Sequence, residues 1–176
     1  MQLIKQSSAV YLAEGDIAKL GQRDIQLLKS LLKDAPQGRV RINLHPSSED
    51  LLHEMFIAIR RGTYIRAHKH PGKSEAFHVI EGSVRVVIFD DEGHLREVVS
   101  LEAASRLNPF YYRLSKPYFH TLLVDSDILV MHEITNGPFR DDEIIMAPFS
   151  PPEQDALALV RFKHALNEQL EQWEAS

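Results

Sequence analysis

The chain has 176 residues, 44% of them hydrophobic, which suits one compact domain with a single core. Its 20 basic and 25 acidic residues give a net charge of −5, with no dense basic tract to follow a phosphate backbone, so nucleic acid is not an expected partner. No run of about 18 apolar residues occurs, the opening MQLIKQSSAVYLAEG has neither an apolar h-region nor a cleavage site, and cysteine is absent, so we expect a soluble, cytoplasmic protein whose metal, if any, is held by nitrogen and oxygen.

From Asp16 to Asp34, Ile17, Leu20, Ile25, Leu28, Leu31 and Leu32 fall at helical spacings around Gly21, predicting one or two short helices. The segment Ala35 to Gly38 (APQG) breaks this pattern, and Val40 to His45 (VRINLH) then alternates as a half-buried strand does. Between Phe56 and Asp127 the period stays near two, with breaks at RRG, HPGK, EG, DDEG and SKP, which predicts short strands in a sandwich or barrel. The tail changes to a helical pattern. Ser150 is placed to cap it, Pro151 to take its first position and Glu153 to complete a capping box. Ala156, Leu159, Phe162, Leu166, Leu170 and Trp173 make its apolar stripe, expected to pack within the chain. The expected division is a helical extension over 1–38, a β-barrel over 39–149 and a C-terminal helix over 150–176.

The segment GTYIRAHKHPGKSEAFHVIEG, from Gly62 to Gly82, carries the chemistry. His68 and His70, two apart on a strand, point to one face and can grip one ion. Pro71 and Gly72 supply a turn that returns the chain antiparallel and brings Glu75 toward His70. Glu75, Phe77 and Val79 then share the inner face, while His78 points away. A fourth ligand has to come from farther along, and His120, at the start of a strand after the SKP turn, is the best candidate.

The first stretch resembles the first motif of the cupin superfamily at every fixed position, and PYFH resembles its shorter second motif. Pro117 stands where glycine is common, and Val124 where asparagine often follows. The resemblance implies a mainly β, single-cupin fold, a small antiparallel barrel of jelly-roll type. It also implies one divalent metal on His68, His70, Glu75 and His120. With RINLH, FYYRL and HEITNGPF, the chain is similar to the WbuC family of cupin-fold metalloproteins from about Arg39 to Pro148. That family is associated with bacterial surface polysaccharide (O-antigen) gene clusters.

Other histidines, namely His45, His53, His94 and His164, are read as packed or solvated side chains. One of His132 and Glu133 must face the interior: Glu133 if Leu129 and Met131 pack inside, His132 if parity is reversed. Lys73 is a candidate for an anionic group near the mouth or an ordinary turn residue, and Tyr112 a candidate proton donor or a packing residue. Three imidazoles and a carboxylate suit zinc, iron, manganese or nickel and leave room for a ligand. The expected function is metal-dependent isomerase or epimerase chemistry on a sugar or sugar nucleotide. The alternatives are an iron-dependent dioxygenase and a non-catalytic binding module. A homodimer is expected, since small cupins commonly pair through sheet edges.

Overall fold

Alternation of apolar and polar residues becomes two stacked sheets. The computed structural model describes residues 2–140 and 143–175. Its strands are β1 (Leu3–Lys5), β2 (Val10–Ala13), β3 (Arg39–Asn43), β4 (Leu52–Arg60), β5 (His68–Lys69), β6 (Glu75–Glu81), β7 (Ser83–Phe89), β8 (Leu95–Glu102), β9 (Tyr111–Leu114), β10 (Phe119–Val124), β11 (Ile128–Asn136) and β12 (Ile145–Met146). Helices are α1 (Gln22–Leu31), continued by one 3-10 turn, and α2 (Ala156–Glu174). One sheet runs β1-β2-β3-β4-β11-β6-β9 and the other β12-β5-β10-β7-β8.

The inner faces meet in the main core, where Met55, Ile57, Phe77, Val79, Leu129 and Met131 of the larger sheet pack on Val84, Val86, Ile88, Leu122 and Val124 of the smaller. Each outer face has its own cover. Leu28 and Leu32 of α1 and its following turn lie on Val40, Ile42, Ala58 and Val130. Leu166 and Leu170 of α2, with Phe162, lie on Val87, Phe89 and Phe119. Fully burying one such side chain contributes about 1.5–3 kcal/mol. Gly82 joins β6 to β7 at φ +86, and a Cβ there would run into the Ser126 side chain and the Ile128 carbonyl, so only glycine fits.

Four expectations need correction. Among the described residues no strand pairing links the sheets, so the jelly-roll arrangement holds without a closed barrel. The edge strands β8 and β9 are not joined by strand pairing, and a cleft of about 300 Å³ at their seam is lined by Arg96, Glu97, Tyr112 and Arg113. The N-terminal extension is not only helical: β2 pairs in parallel with β3 and carries β1 into the larger sheet. The first helix begins after Gly21, whose N–H donates to the Asp24 carboxylate at 2.9 Å, and residues 16–20 stay outside it. Ser150 does not cap α2. Its buried hydroxyl accepts from the Ala67 N–H at 3.0 Å and meets the Tyr64 hydroxyl at 2.7 Å, which ties the tail to the segment leading into β5. Asp155 caps the helix instead, accepting from the Ala158 N–H at 3.0 Å.

Candidate metal centre

The turn after β5, the start of β6 and the start of β10 meet between the two sheets. His68 of β5 pairs with His120 of β10, and His120 pairs in turn with Ile88 of β7, so the two histidines stand side by side on the inner face of the smaller sheet. Between His68 and His70, Lys69 turns the other way, onto the Phe119 ring at 4.2 Å and Asp91 at 2.6 Å. Gly72 at φ +76 completes the turn that returns the chain to Glu75.

One donor atom from each of His68, His70, Glu75 and His120 lies within 4.8 Å of all the others. Glu75 Oε1 is 3.0 Å from His120 Nε2, and Glu75 Oε2 is 3.5 Å from His70 Nε2. With metal bonds of about 2.1 Å, cis donors sit about 3.0–3.4 Å apart and trans donors about 4.2 Å apart. The two separations of 3.0 and 3.5 Å match cis donors on one ion, and no pair exceeds the trans spacing by more than about 0.6 Å. Tautomers are set for that purpose. His68 Nδ1 donates to the Arg66 carbonyl at 2.8 Å, and His120 Nδ1 to the Tyr118 carbonyl at 3.1 Å, leaving each Nε2 with its lone pair toward the centre. Despite their closeness, Glu75 Oε1 and His120 Nε2 are buried without an aligned hydrogen bond, as two donors converging on a shared ion would be.

Burial, then His120, holds the His68 imidazole down at about 4, in the neutral form a metal ligand requires. Burial also disfavours a charge on His120, but the Glu75 carboxylate prevails and raises it. For Glu75, burial is outweighed by His120 and His70, which keep its carboxyl well below the usual range.

Among the other candidates, Glu133 and Tyr112 face inward. Leu129 and Met131 pack in the core, so alternation puts Glu133 on the inner face, and the cross-strand order there is Tyr112, Phe77, Glu133. Burial and the Glu75 charge push the Glu133 carboxyl up to about 8, against the pull of Arg41. Burial, with Glu75 and Glu97, likewise raises the Tyr112 phenol, whose hydroxyl is buried without a hydrogen bond. His132 takes the outer face, stacked on Phe56 at 4.6 Å with Nε2 3.4 Å from Glu54, apart from the four donors. Lys73 is already engaged. Its ammonium donates to the Pro138 carbonyl at 2.6 Å and pairs with Glu143 at 2.9 Å, which leaves it poorly placed to bind an anion.

Two histidines given no role in the sequence reading prove to be buried. His45 and His53 stack at 4.0 Å, and the available signal was parity, since His53 stands two residues before the inward Met55.

A family model described as a domain of unknown function (DUF6016) matches residues 21–101, from α1 to β8, which includes three of the four donors and stops before His120. No curated protein matches the chain by sequence. Among solved structures, protein SO0799 from Shewanella oneidensis is similar with a TM-score of 0.52 at 15% identity, covering 72% of this chain and 78% of that one. Oxalate oxidase follows at 0.49 and 16%, covering 68% and 60%. Oxalate decarboxylase from Bacillus subtilis, studied for its Mn(II) centers, gives 0.44 and 19%, covering 55% and 24%. The chain thus spans less than two thirds of the oxidase chain and about a quarter of the decarboxylase chain. The fold is a cupin fold, mainly β with a C-terminal helix, and its interior carries a His/Glu group able to hold a metal.

Proposed function

We propose that the chain is a divalent-metal-dependent enzyme that isomerises or epimerises a small, oxygen-rich molecule. The substrate we favour is a sugar or sugar nucleotide of bacterial surface polysaccharide metabolism, as the resemblance to the WbuC family implies. The observation that carries the metal-dependent part is the convergence of four donors within 4.8 Å inside the fold. Zinc, iron, manganese or nickel bound there would supply Lewis acidity, which makes a C–H proton beside a carbonyl, or the O–H proton of a hydroxyl, easier to remove.

The chain's own groups do the rest. Glu133, whose inward carboxyl is raised by burial and, without a metal, by the Glu75 charge, is suited to give and take a proton. Tyr112, whose proton is held firmly, is suited to donate a hydrogen bond to an oxygen that gains charge. Phe77 stands between them in the cross-strand order, its ring 5.6 Å from that of Tyr112, and holds the two groups apart. Val79, Leu122 and Met131, all buried in the core, form the apolar surroundings of these groups. A homodimer belongs to the same reading, supported by the exposed Phe110 and Tyr111 at the edge strand β9.

A strain lacking the gene, complemented with wild type, His68→Ala or Glu133→Gln, provides the test. Restoration of surface polysaccharide by wild type alone is expected. Full restoration by a His68→Ala protein shown to have lost its metal contradicts the reading. Restoration by Glu133→Gln but not His68→Ala favours a metal-dependent binding module over an enzyme.

A further inference from the structure

In most of this fold the inner face is apolar, but β3 reverses the rule. Val40 and Ile42, with Leu44 beyond the strand, go outward beneath α1, so Arg39, Arg41 and Asn43, with His45, share the inner side with Met55, Ile57 and Ile59 of the adjacent β4. Arg39 and Arg41 are exposed there, on the flank of the larger sheet beyond β4. Asn43 is 9% exposed and its Oδ1 is buried without a partner; His53, stacked on His45, is 3% exposed with an equally unpartnered Nε2. A buried polar atom without a partner is costly in a folded protein unless a ligand or water completes it. The arrangement has a gradient: cations at the flank, neutral hydrogen-bonding groups further in, then Glu133 across Met55 in the cross-strand order.

We infer that the inner face of β3 is an anion-binding subsite, in which Arg39 and Arg41 hold a carboxylate or phosphate of the substrate while Asn43 hydrogen-bonds the atoms that lead from it toward the metal centre, with His53, whose Nε2 edge lies against Gly137, closing the far end. This rests on the proposed small-molecule chemistry and narrows its substrate to an anionic one. Guanidinium groups suit either anion through paired N–H donors. Both Arg39 and Arg41 lower the Glu133 pKa through their charge, which places positive potential on this face.

Inorganic phosphate and malonate, titrated separately into full-length protein and followed by backbone amide NMR, distinguish the two anion types. Wild type, Arg39→Gln/Arg41→Gln and Asn43→Asp are compared, each with metal and after chelation. Arg39 is exposed, while Arg41 keeps exposed surface although burial lowers its pKa, so far-UV circular dichroism of the double variant accompanies the titration to confirm that it is folded. Expected are shifts of the β3 amides with one or both anions, weakened on the order of tenfold in the double variant with metal content unchanged. Asn43→Asp, which adds a negative charge without adding bulk, is expected to weaken binding as well. Equal affinity in wild type and double variant, or no β3 response to either anion, overturns the inference. Anion binding that needs the metal and ignores the arginines also overturns it, while leaving the proposed function standing. A wild type that never holds a metal defeats that function, yet the arginine comparison in chelated protein remains readable.

Discussion

Replacing His70 by alanine separates metal binding from folding. The His70 side chain is 19% exposed and its Nε2 lies 3.5 Å from Glu75 Oε2, so the loss of the ring removes a ligand while disturbing little of the core. A metal that binds only the folded chain stabilises it by RT ln(1 + [M]/Kd), about 4 kcal/mol at a thousandfold excess over Kd. For a chain of this size each kcal/mol moves the melting temperature by about 2–4 °C, so chelation should lower that of wild type by about 8–16 °C. Loss of one ligand weakens metal affinity by at least about 100-fold, the upper range seen for groups that merely support ligands. At the same metal concentration the stabilisation then falls to about 1.4 kcal/mol, or about 3–6 °C. Scanning calorimetry of both proteins, with metal and with chelator, reads all four values. Chelation that leaves wild type unmoved, or a His70→Ala protein that responds as strongly as wild type, refutes metal binding through His70.

In metal-free protein the raised Glu133 carboxyl contributes stability that is full below its ordinary 4.5 and is lost as pH rises through about 8. Urea midpoints between pH 5 and pH 8 should therefore fall more for wild type than for Glu133→Gln, and parallel profiles would count against the assigned environment. Leu170, 5% exposed, anchors α2 on the smaller sheet, and Leu170→Ala is expected to cost about 2–5 kcal/mol in denaturant unfolding. A cost under about 0.5 kcal/mol, the range of surface substitutions, would show that the helix is not seated as described.

Local patterns were readable from the residues alone. The pair His68 and His70, the turn at Gly72 and the return to Glu75 need only strand parity and turn chemistry, and the structure brings them together with His120. What stayed open or differed depended on distant partners. Whether His132 or Glu133 faces inward is decided by the pairing of β11 with β4 and β6, which no window of the chain contains. Ser150 has the sequence of a helix cap, but Tyr64 and Ala67, far away in sequence, take its hydroxyl. The strands β1 and β2 are too short to show a period and exist through their pairing with each other and with β3. The alternation of β3 was visible, yet which side would meet α1 was not. The inward row of Arg39, Arg41 and Asn43 therefore emerged only with the fold.

Metal content tests the account most directly. Wild type and His70→Ala, purified side by side without added metal, are compared by inductively coupled plasma mass spectrometry. One divalent ion per chain in the wild type, lost in the variant, is the predicted result, and iron as that ion would move the chemistry toward the dioxygenase alternative. A wild type that stays empty even after incubation with zinc, iron, manganese and nickel, or a variant that keeps its ion in full, would contradict it.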